Sequence, residues 1–310
     1  MSVESHDKQR LLLLFPGALG DFLCALPAIL AVTERCDDAL LVANPLALEL
    51  LEPGPFRTAS IHRREVADLF GDGPLEGAAR MLFAGYDLAH SWTGFGQPQF
   101  AERLRAVTGA TVLVHRFRGM LPGEHAIDYY ARCVGLAPAS PRLWLTAADQ
   151  AGAADWQQRV LGAGAFTIIH PGSGSPRKNW QGFPQLIEKL RATRGTPMVV
   201  LSGPAEAERG SIVWPDVPVL HSAPPRRIAA LLRRAALYIG NDSGISHLAA
   251  VAGTPSVVLF GTSDPAIWAP RGPAVHIIAA RQPCAACGPE CFCTHRLAVE
   301  QVIDRVQRLG

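Results

Sequence analysis

Residues Leu237 to Gly261 leave this chain the fewest ways to fold. Leu237, Tyr238 and Ile239 form a short apolar run that Gly240 breaks, and Asn241, Asp242, Ser243 and Gly244 follow as a polar loop. Ile245, Leu248, Ala249 and Ala252 then recur at helical spacing, Gly253 and Pro255 supply a stop, and Val257 to Phe260 make a second apolar run. The pattern predicts strand, loop, helix, turn and strand, the last strand buried on both faces as in a parallel sheet. Asp242 and Ser243 are the expected N-cap residues. Such a loop leaves backbone N–H groups unpaired at a helix N-terminus, where the macrodipole adds partial positive charge, so the place suits a phosphate. A carboxylate repels a diphosphate, which assigns Asp242 to a sugar hydroxyl or to the loop itself. His247, one turn on and facing the same end, and Gly244, which permits close approach, favour a ligand site over a plain cap.

The rest of the chain repeats the rhythm. Leu11 to Leu14 read as a buried first strand, Pro16-Gly17-Ala18-Leu19-Gly20-Asp21 as a glycine-rich turn, and Leu23, Leu26, Pro27 and Leu30 as the first helix. Asp21 thereby falls at the carboxyl end of a strand, where open α/β sheets place their ligands. Short strands are expected at Leu40–Ala43, Ala59–His62, Tyr86–His90 and Thr111–Val114, and a helix from His125 to about Gly135. The alternation predicts a parallel, doubly wound sheet. Pro138-Ala139-Ser140-Pro141 reads as a stiff connector, which sets the domains at 1–145 and 146–310. The second half restarts with strand Phe166–Ile169, loop His170–Trp180, helix Phe183–Arg194 and strand Met198–Ser202. An amphipathic helix from about Leu297 to Leu309 closes the chain, with packing back on the first domain as one option for it.

Composition removes several function classes. The net charge of +2 is too small to argue for nucleic acid, and no aromatic and basic residues interleave as a single-strand platform requires. Leu11 to Val32 is long and apolar, but Pro16, Gly17 and Gly20 interrupt it and Asp21 is costly in a bilayer, so neither a membrane span nor an export signal is expected. The seven cysteines are accordingly expected as thiols in a reducing cytoplasm. No G-x-S-x-G elbow or glycosidase-like acid pair is present.

Further residues could do chemistry. The loop His170-Pro171-Gly172-Ser173-Gly174-Ser175-Pro176-Arg177-Lys178-Asn179-Trp180 is a second polar loop after a strand, and Lys178 and Arg177 bring positive charge suited to a departing diphosphate. Glu206, after Gly203-Pro204, suits either ribose hydroxyls or a helix first turn. Cys284, Cys287, Cys291 and Cys293, with His295, form a crowded C-x-x-C-x-x-x-C-x-C cluster and are the candidate ligands of a structural zinc. Cys24, Cys36 and Cys133 read as buried apolar residues.

These stretches together resemble glycosyltransferase family 9, the heptosyltransferases that build the lipopolysaccharide inner core. The matching residues are Pro16 to Asp21 with Leu26-Pro27, the His170–Trp180 loop, Ser202-Gly203-Pro204-Ala205-Glu206, Gly240 to Gly244 with His247-Leu248, and Gly261-Thr262-Ser263-Asp264-Pro265 with Trp268. The resemblance implies the α/β GT-B architecture, two Rossmann-like doubly wound domains facing a central cleft, with the acceptor on the first and the nucleotide sugar on the second. It implies inverting transfer of a sugar, heptose from an ADP-heptose-type donor, onto a lipopolysaccharide core or related surface glycan. In that scheme Asp21 is the base, Lys178 stabilises the leaving phosphates, and Ser173, Gly174, Ser175, Glu206, Asp242, Ser243, Gly244 and His247 bind the donor. Thr262 and Asp264 lie nearby, and Trp268 is structural. Gly20, Arg63 and Arg64 are assigned to the acceptor. No cofactor or catalytic metal is required, and a cytoplasmic enzyme in peripheral contact with the inner membrane is the expected setting.

One residue departs from the pattern. The family usually carries Arg or Lys six residues before the aspartate, and Phe15 stands there. Arg57, Arg63, Arg64, Arg116 and Arg118 are the candidates to hold an anionic acceptor instead. The departure also leaves open a relative that binds a nucleotide sugar without turning it over. A nucleotide-sugar epimerase would share the architecture and need no acceptor.

Overall fold

The computed structural model describes residues 9–203, 214, 216–280 and 293–309. The chain divides into two compact units, Met1–Trp144 and Leu145–Gly310. In the first unit the strands are β1 (Arg10–Leu14), β2 (Asp38–Ala43), β3 (Arg57–Ser60), β4 (Leu88–Ser91) and β5 (Thr111–Val114). They lie in the order β3-β2-β1-β4-β5, every pairing parallel. The second unit holds β6 (Thr167–His170), β7 (Met198–Ser202), β8 (Val219–His221), β9 (Leu237–Asn241), β10 (Ser256–Phe260) and β11 (Val275–Ala279). Their order is β11-β10-β9-β6-β7-β8, again parallel throughout. Read from the other edge this is the 3-2-1-4-5-6 order of a doubly wound sheet. The chain reverses its direction of winding between β1 and β4 in one unit and between β6 and β9 in the other. Those two crevices are where such sheets accept ligands.

The core strands form where the sequence has unbroken apolar runs. Leu11 to Leu14 are fully buried between β2 and β4, and Val257 to Phe260 are equally buried beside β9. β3 spans Arg57–Ser60, so the strand expected at Ala59–His62 starts and ends two residues earlier. β8 and β11 carry no strong sequence signal, because β8 has only three residues and the edge strand β11 is only partly buried.

Helix Ala147–Val160 also escapes a periodicity argument. Its buried residues are Ala153, Trp156 and Gln157, a stripe too narrow to stand out. Polar contacts hold it instead. Thr146 and Asp149 form a capping box at its start, Asp149 is paired at 2.7 Å with Arg226, and Arg234 donates to Gln157 at 2.8 Å. Arg226 holds the Asp149 carboxyl down at about 2.

The closing helix, Val299–Gln307, is amphipathic as expected. Val299, Val302 and Val306 join Trp180, Phe183, Ile187 and Leu190 in the second unit's own core, and the Trp180 indole N–H donates to the Leu297 carbonyl at 2.9 Å.

Candidate functional site

In the first unit the crevice is built on the turn that follows β1. Gly17 is required there, since a Cβ at this position would lie 2.5 Å from the Phe15 ring and 2.8 Å from the Asp21 Cβ. The turn delivers Gly20 and Asp21 into the first turn of helix Leu19–Thr33, where a carboxylate is favoured by the helix dipole. Asp21 is only 8% exposed. Arg118 meets it with a two-pronged grip, Nε to Oδ1 at 3.0 Å and Nη2 to Oδ2 at 2.9 Å. The hydrogen bonds to that carboxylate raise the Arg118 pKa above its usual value, so the guanidinium stays charged.

Phe15 explains its own departure from the family pattern. It is fully buried and makes edge-on contacts with Phe22, Trp92, Phe117 and Tyr130, at ring separations of 5.4 to 5.9 Å. Two consecutive tyrosines then pin the loop that carries the arginines: Tyr129 donates to the Arg116 carbonyl and Tyr130 to the Phe117 carbonyl at 3.1 Å. Burial, with the nearby Asp21 charge, pushes the Tyr130 phenol up, which keeps it a donor. The positive charge that the sequence lacks at position 15 is thus supplied by Arg118, 97 residues from Asp21 in the chain.

The other arginines divide. Arg116 lies over the Phe95 ring and lines a shallow cleft of about 410 Å³ with His115, Tyr129, Arg132 and Cys133. Arg57 pairs with Asp38, the first residue of β2, and so lies at the amino end of the sheet, away from the crevice. Arg63 is paired with Glu65 at 2.6 Å and Arg64 with Glu76 at 3.2 Å, both as surface ion pairs. Sequence reading did not single out His90 and His115, which end up stacked, with Nδ1 of the first 2.9 Å from Nε2 of the second. Burial pushes both imidazoles down to about 4, so they are neutral at pH 7.

In the second unit the crevice lies between the loop after β6 and the loop after β9. Asn241 ties them together by accepting from the Trp180 N–H at 3.1 Å and donating to the Pro171 carbonyl at 2.6 Å. Lys178 Nζ stands 2.6 Å from Asp242 Oδ2, with Asp242 buried and Lys178 about one-third exposed. Asp242 therefore does not cap the helix. Ser243 occupies the N-cap of helix Gly244–Ala252, but its hydroxyl makes no cap bond and instead lies 3.2 Å from His170 Nδ1. The expected cap is absent, and among the described residues no side-chain acceptor caps the start of the helix.

The remaining residues expected at the donor are placed unevenly. Ser173 is buried, its hydroxyl 2.6 Å from both the Ser175 carbonyl and Asn179 Oδ1, so it shapes the loop from inside. Gly174 is exposed at the loop tip with open space around it, and Ser175 donates its N–H to Ser173 at 3.3 Å. His247 is buried in the first two turns of the helix. Asp264 caps helix Pro265–Trp268 through the Ala266 N–H at 2.9 Å. Glu206, Cys284, Cys287 and Cys291 lie outside the described residues. Cys293 Sγ is 3.5 Å from His295 Nδ1, and among the described residues no three His, Cys, Asp or Glu side chains gather as a metal site would require. Cys24 is buried as expected, whereas Cys36 and Cys133 are only partly so.

No helix among the described residues is long and apolar enough to cross a membrane. A family model described as glycosyltransferase family 9 (heptosyltransferase) matches residues 124–291, more than half the chain. Lipopolysaccharide heptosyltransferase 3 of Escherichia coli is 31% identical over 115 residues, 34% of this chain and 34% of that protein. The strain K12 protein of the same name is 30% identical over the same length, 34% of this chain and 33% of its own. The matched stretch spans about a third of the length of these curated relatives. Among solved structures, a glycosyl transferase family 9 protein from Veillonella parvula superposes with a TM-score of 0.77 at 18% identity, covering 98% of this chain and 97% of that one. E. coli ADP-heptose lps heptosyltransferase II gives 0.73 at 15% identity, covering 97% and 98%. E. coli heptosyltransferase WaaC with ADP gives 0.68 at 18% identity, covering 97% and 100%. At these identities the likeness is one of fold.

Proposed function

The chain belongs to glycosyltransferase family 9, and from that premise we propose that it is an inverting glycosyltransferase. It moves heptose from an ADP-heptose-type donor onto a lipopolysaccharide core or a related surface glycan. The observation that carries this reading is the pair of carboxylate–cation contacts, Asp21–Arg118 and Lys178–Asp242, one at the switch point of each sheet. In each the carboxylate is buried, and each stands where its fold receives ligands.

The chemistry follows from what each group can do. Arg118 occupies one lone pair on each Asp21 oxygen, which leaves others free to accept the proton of an acceptor hydroxyl. As that proton passes to Asp21, the acceptor oxygen bonds to the anomeric carbon and the bond from that carbon to the phosphate oxygen breaks. The departing nucleoside diphosphate carries the negative charge. Lys178 and the uncapped start of helix Gly244–Ala252 answer it with an ammonium and backbone N–H groups. In this reading Asp242 neutralises Lys178 until a donor arrives and then accepts from a sugar hydroxyl. No metal or cofactor is called upon.

Phe15 is the residue that favours a binding-only relative. Its aromatic setting and the cation supplied by Arg118 remove that motive. The test is transfer from ADP-heptose to an isolated heptose-deficient lipopolysaccharide core. Wild type is expected to release ADP only when acceptor is present, and a rearranged sugar from donor alone would instead make it an epimerase. The reading extends to a cytoplasmic setting with peripheral contact to the inner membrane, tested by vesicle co-sedimentation. It includes a structural zinc on Cys284, Cys287, Cys291 and Cys293, tested by metal analysis of protein purified without chelators.

A further inference from the structure

His170, the last residue of β6, takes no part in the Lys178–Asp242 contact. It is buried beneath the loop after β9, with Nδ1 3.2 Å from Ser243 Oγ and 3.5 Å from the Tyr238 hydroxyl. Proton directions around it are set by one strong bond. Ser246 donates to the Asn241 carbonyl at 2.5 Å, so Tyr238, 2.9 Å from Ser246 Oγ, must donate to that oxygen. Ser243 Oγ, which also lies 3.4 Å from Ser246 Oγ, meets His170 at the shorter distance in either tautomer, donating to a bare Nδ1 or accepting from a protonated one. Burial pushes the His170 pKa down to about 4, so the imidazole is uncharged at pH 7. Gly240 makes the arrangement feasible, because a Cβ there would run into the Tyr238 phenol.

The consequence lies at the start of helix Gly244–Ala252. Ser243 has φ −154 and ψ 164, the extended backbone of an N-cap residue, yet its hydroxyl makes no cap bond. Serine is among the strongest capping residues, so only a rotation about χ1 separates the observed hydroxyl from a capping one. We propose that His170 is a positioning residue of the donor site: by holding Ser243 Oγ it keeps that hydroxyl from capping the helix and reserves the Gly244 and Ile245 N–H groups for the phosphate of a nucleoside diphosphate, the Ser246 N–H being bonded to the Ser243 carbonyl. The inference rests on the reading of this crevice as the donor site.

Calorimetric titration of the full chain with ADP tests it. Wild type is expected to bind, and Lys178→Ala to bind about tenfold more weakly. If wild type does not bind, or Lys178→Ala binds as tightly as wild type, the donor-site reading falls and the inference falls with it. Given those two results, His170→Leu frees Ser243 to cap and is expected to weaken ADP about fivefold, the worth of a serine cap. His170→Asn keeps a partner near the Nδ1 position and is expected to stay within about twofold of wild type. The deciding variant is His170→Leu/Ser243→Ala, which removes the competing hydroxyl and is expected to recover most of the lost affinity. A merely structural histidine predicts no such recovery. Unchanged ADP affinity in His170→Leu, or a double variant no better than the single, overturns the inference while leaving the donor site standing. Should His170→Leu fail to fold by circular dichroism, His170→Phe, which keeps the ring shape, carries the same expectations.

Discussion

Asp21 in the first unit is 8% exposed and gripped at both oxygens by Arg118, whereas Asp242 in the second is 6% exposed and meets Lys178 through one oxygen. The beds beneath them differ as well. Asp21 stands by an aromatic cluster around Phe15, and Asp242 stands by a hydrogen-bonded chain of His170, Ser243, Ser246 and Tyr238. A guanidinium fork fixes the plane of a carboxylate, while an ammonium on a four-carbon stem can turn to a new partner without losing its charge. The contrast suits two duties. In the proposed mechanism one carboxylate is held still to accept a proton, and the other shares a cation that a phosphate can claim.

Replacing Asp21 by Asn tests the fixed half and should have the largest effect. Transfer is expected to fall about 100- to 10,000-fold, the usual worth of a general base, with ADP affinity unchanged in calorimetry. Turnover near the wild-type rate would end the comparison. Phe15→Lys restores the basic residue usual in the family, yet here it buries a charge among aromatic rings already served by Arg118. It is expected to destabilise the first unit by about 3–5 kcal/mol, read from its denaturant transition, and to bring no gain in activity.

Acid should separate the two units. His90, His115 and His170 are each pushed down to about 4 by burial, from an ordinary value near 6.5. Between pH 6.5 and 4 the unfolded chain binds protons that the folded one refuses, so stability present at neutral pH is lost as pH falls through that window. Each histidine contributes at most about 1.4 kcal/mol per pH unit. The first unit, with two of them in contact, should lose stability more steeply than the second, as followed by urea unfolding at pH 7, 6 and 5. Equal slopes would remove the difference. The smallest effect probes the yielding half: Lys178→Ala is expected to raise the ADP dissociation constant about tenfold, as read by calorimetry.

Much of this arrangement was legible in residues that carry a local signal. Gly17 and Asp21, Lys178, and Asp242 with Gly244 lie in polar turns between apolar runs, and such turns fall at the carboxyl ends of strands for simple steric reasons. The core strands β1, β9 and β10 announce themselves by unbroken apolar runs. Helix Ala147–Val160 did not, because its burial depends on Trp156 and on polar pairs with Arg226 and Arg234 rather than on a wide apolar stripe.

By itself the amino-acid sequence determined that the chain forms parallel α/β units with polar turns at their ligand-binding edges, because apolar periodicity and turn chemistry act over a few neighbouring residues. Only the tertiary structure decided that Arg118 stands in for a cation at position 15, that Asp242 faces Lys178, and that Ser243 serves His170 instead of its helix. Those partners are 97, 64 and 73 residues apart. Hydrogen bonds between residues so distant depend on how strands are ordered in a sheet, and that order is settled by burial of the whole core and by no local segment.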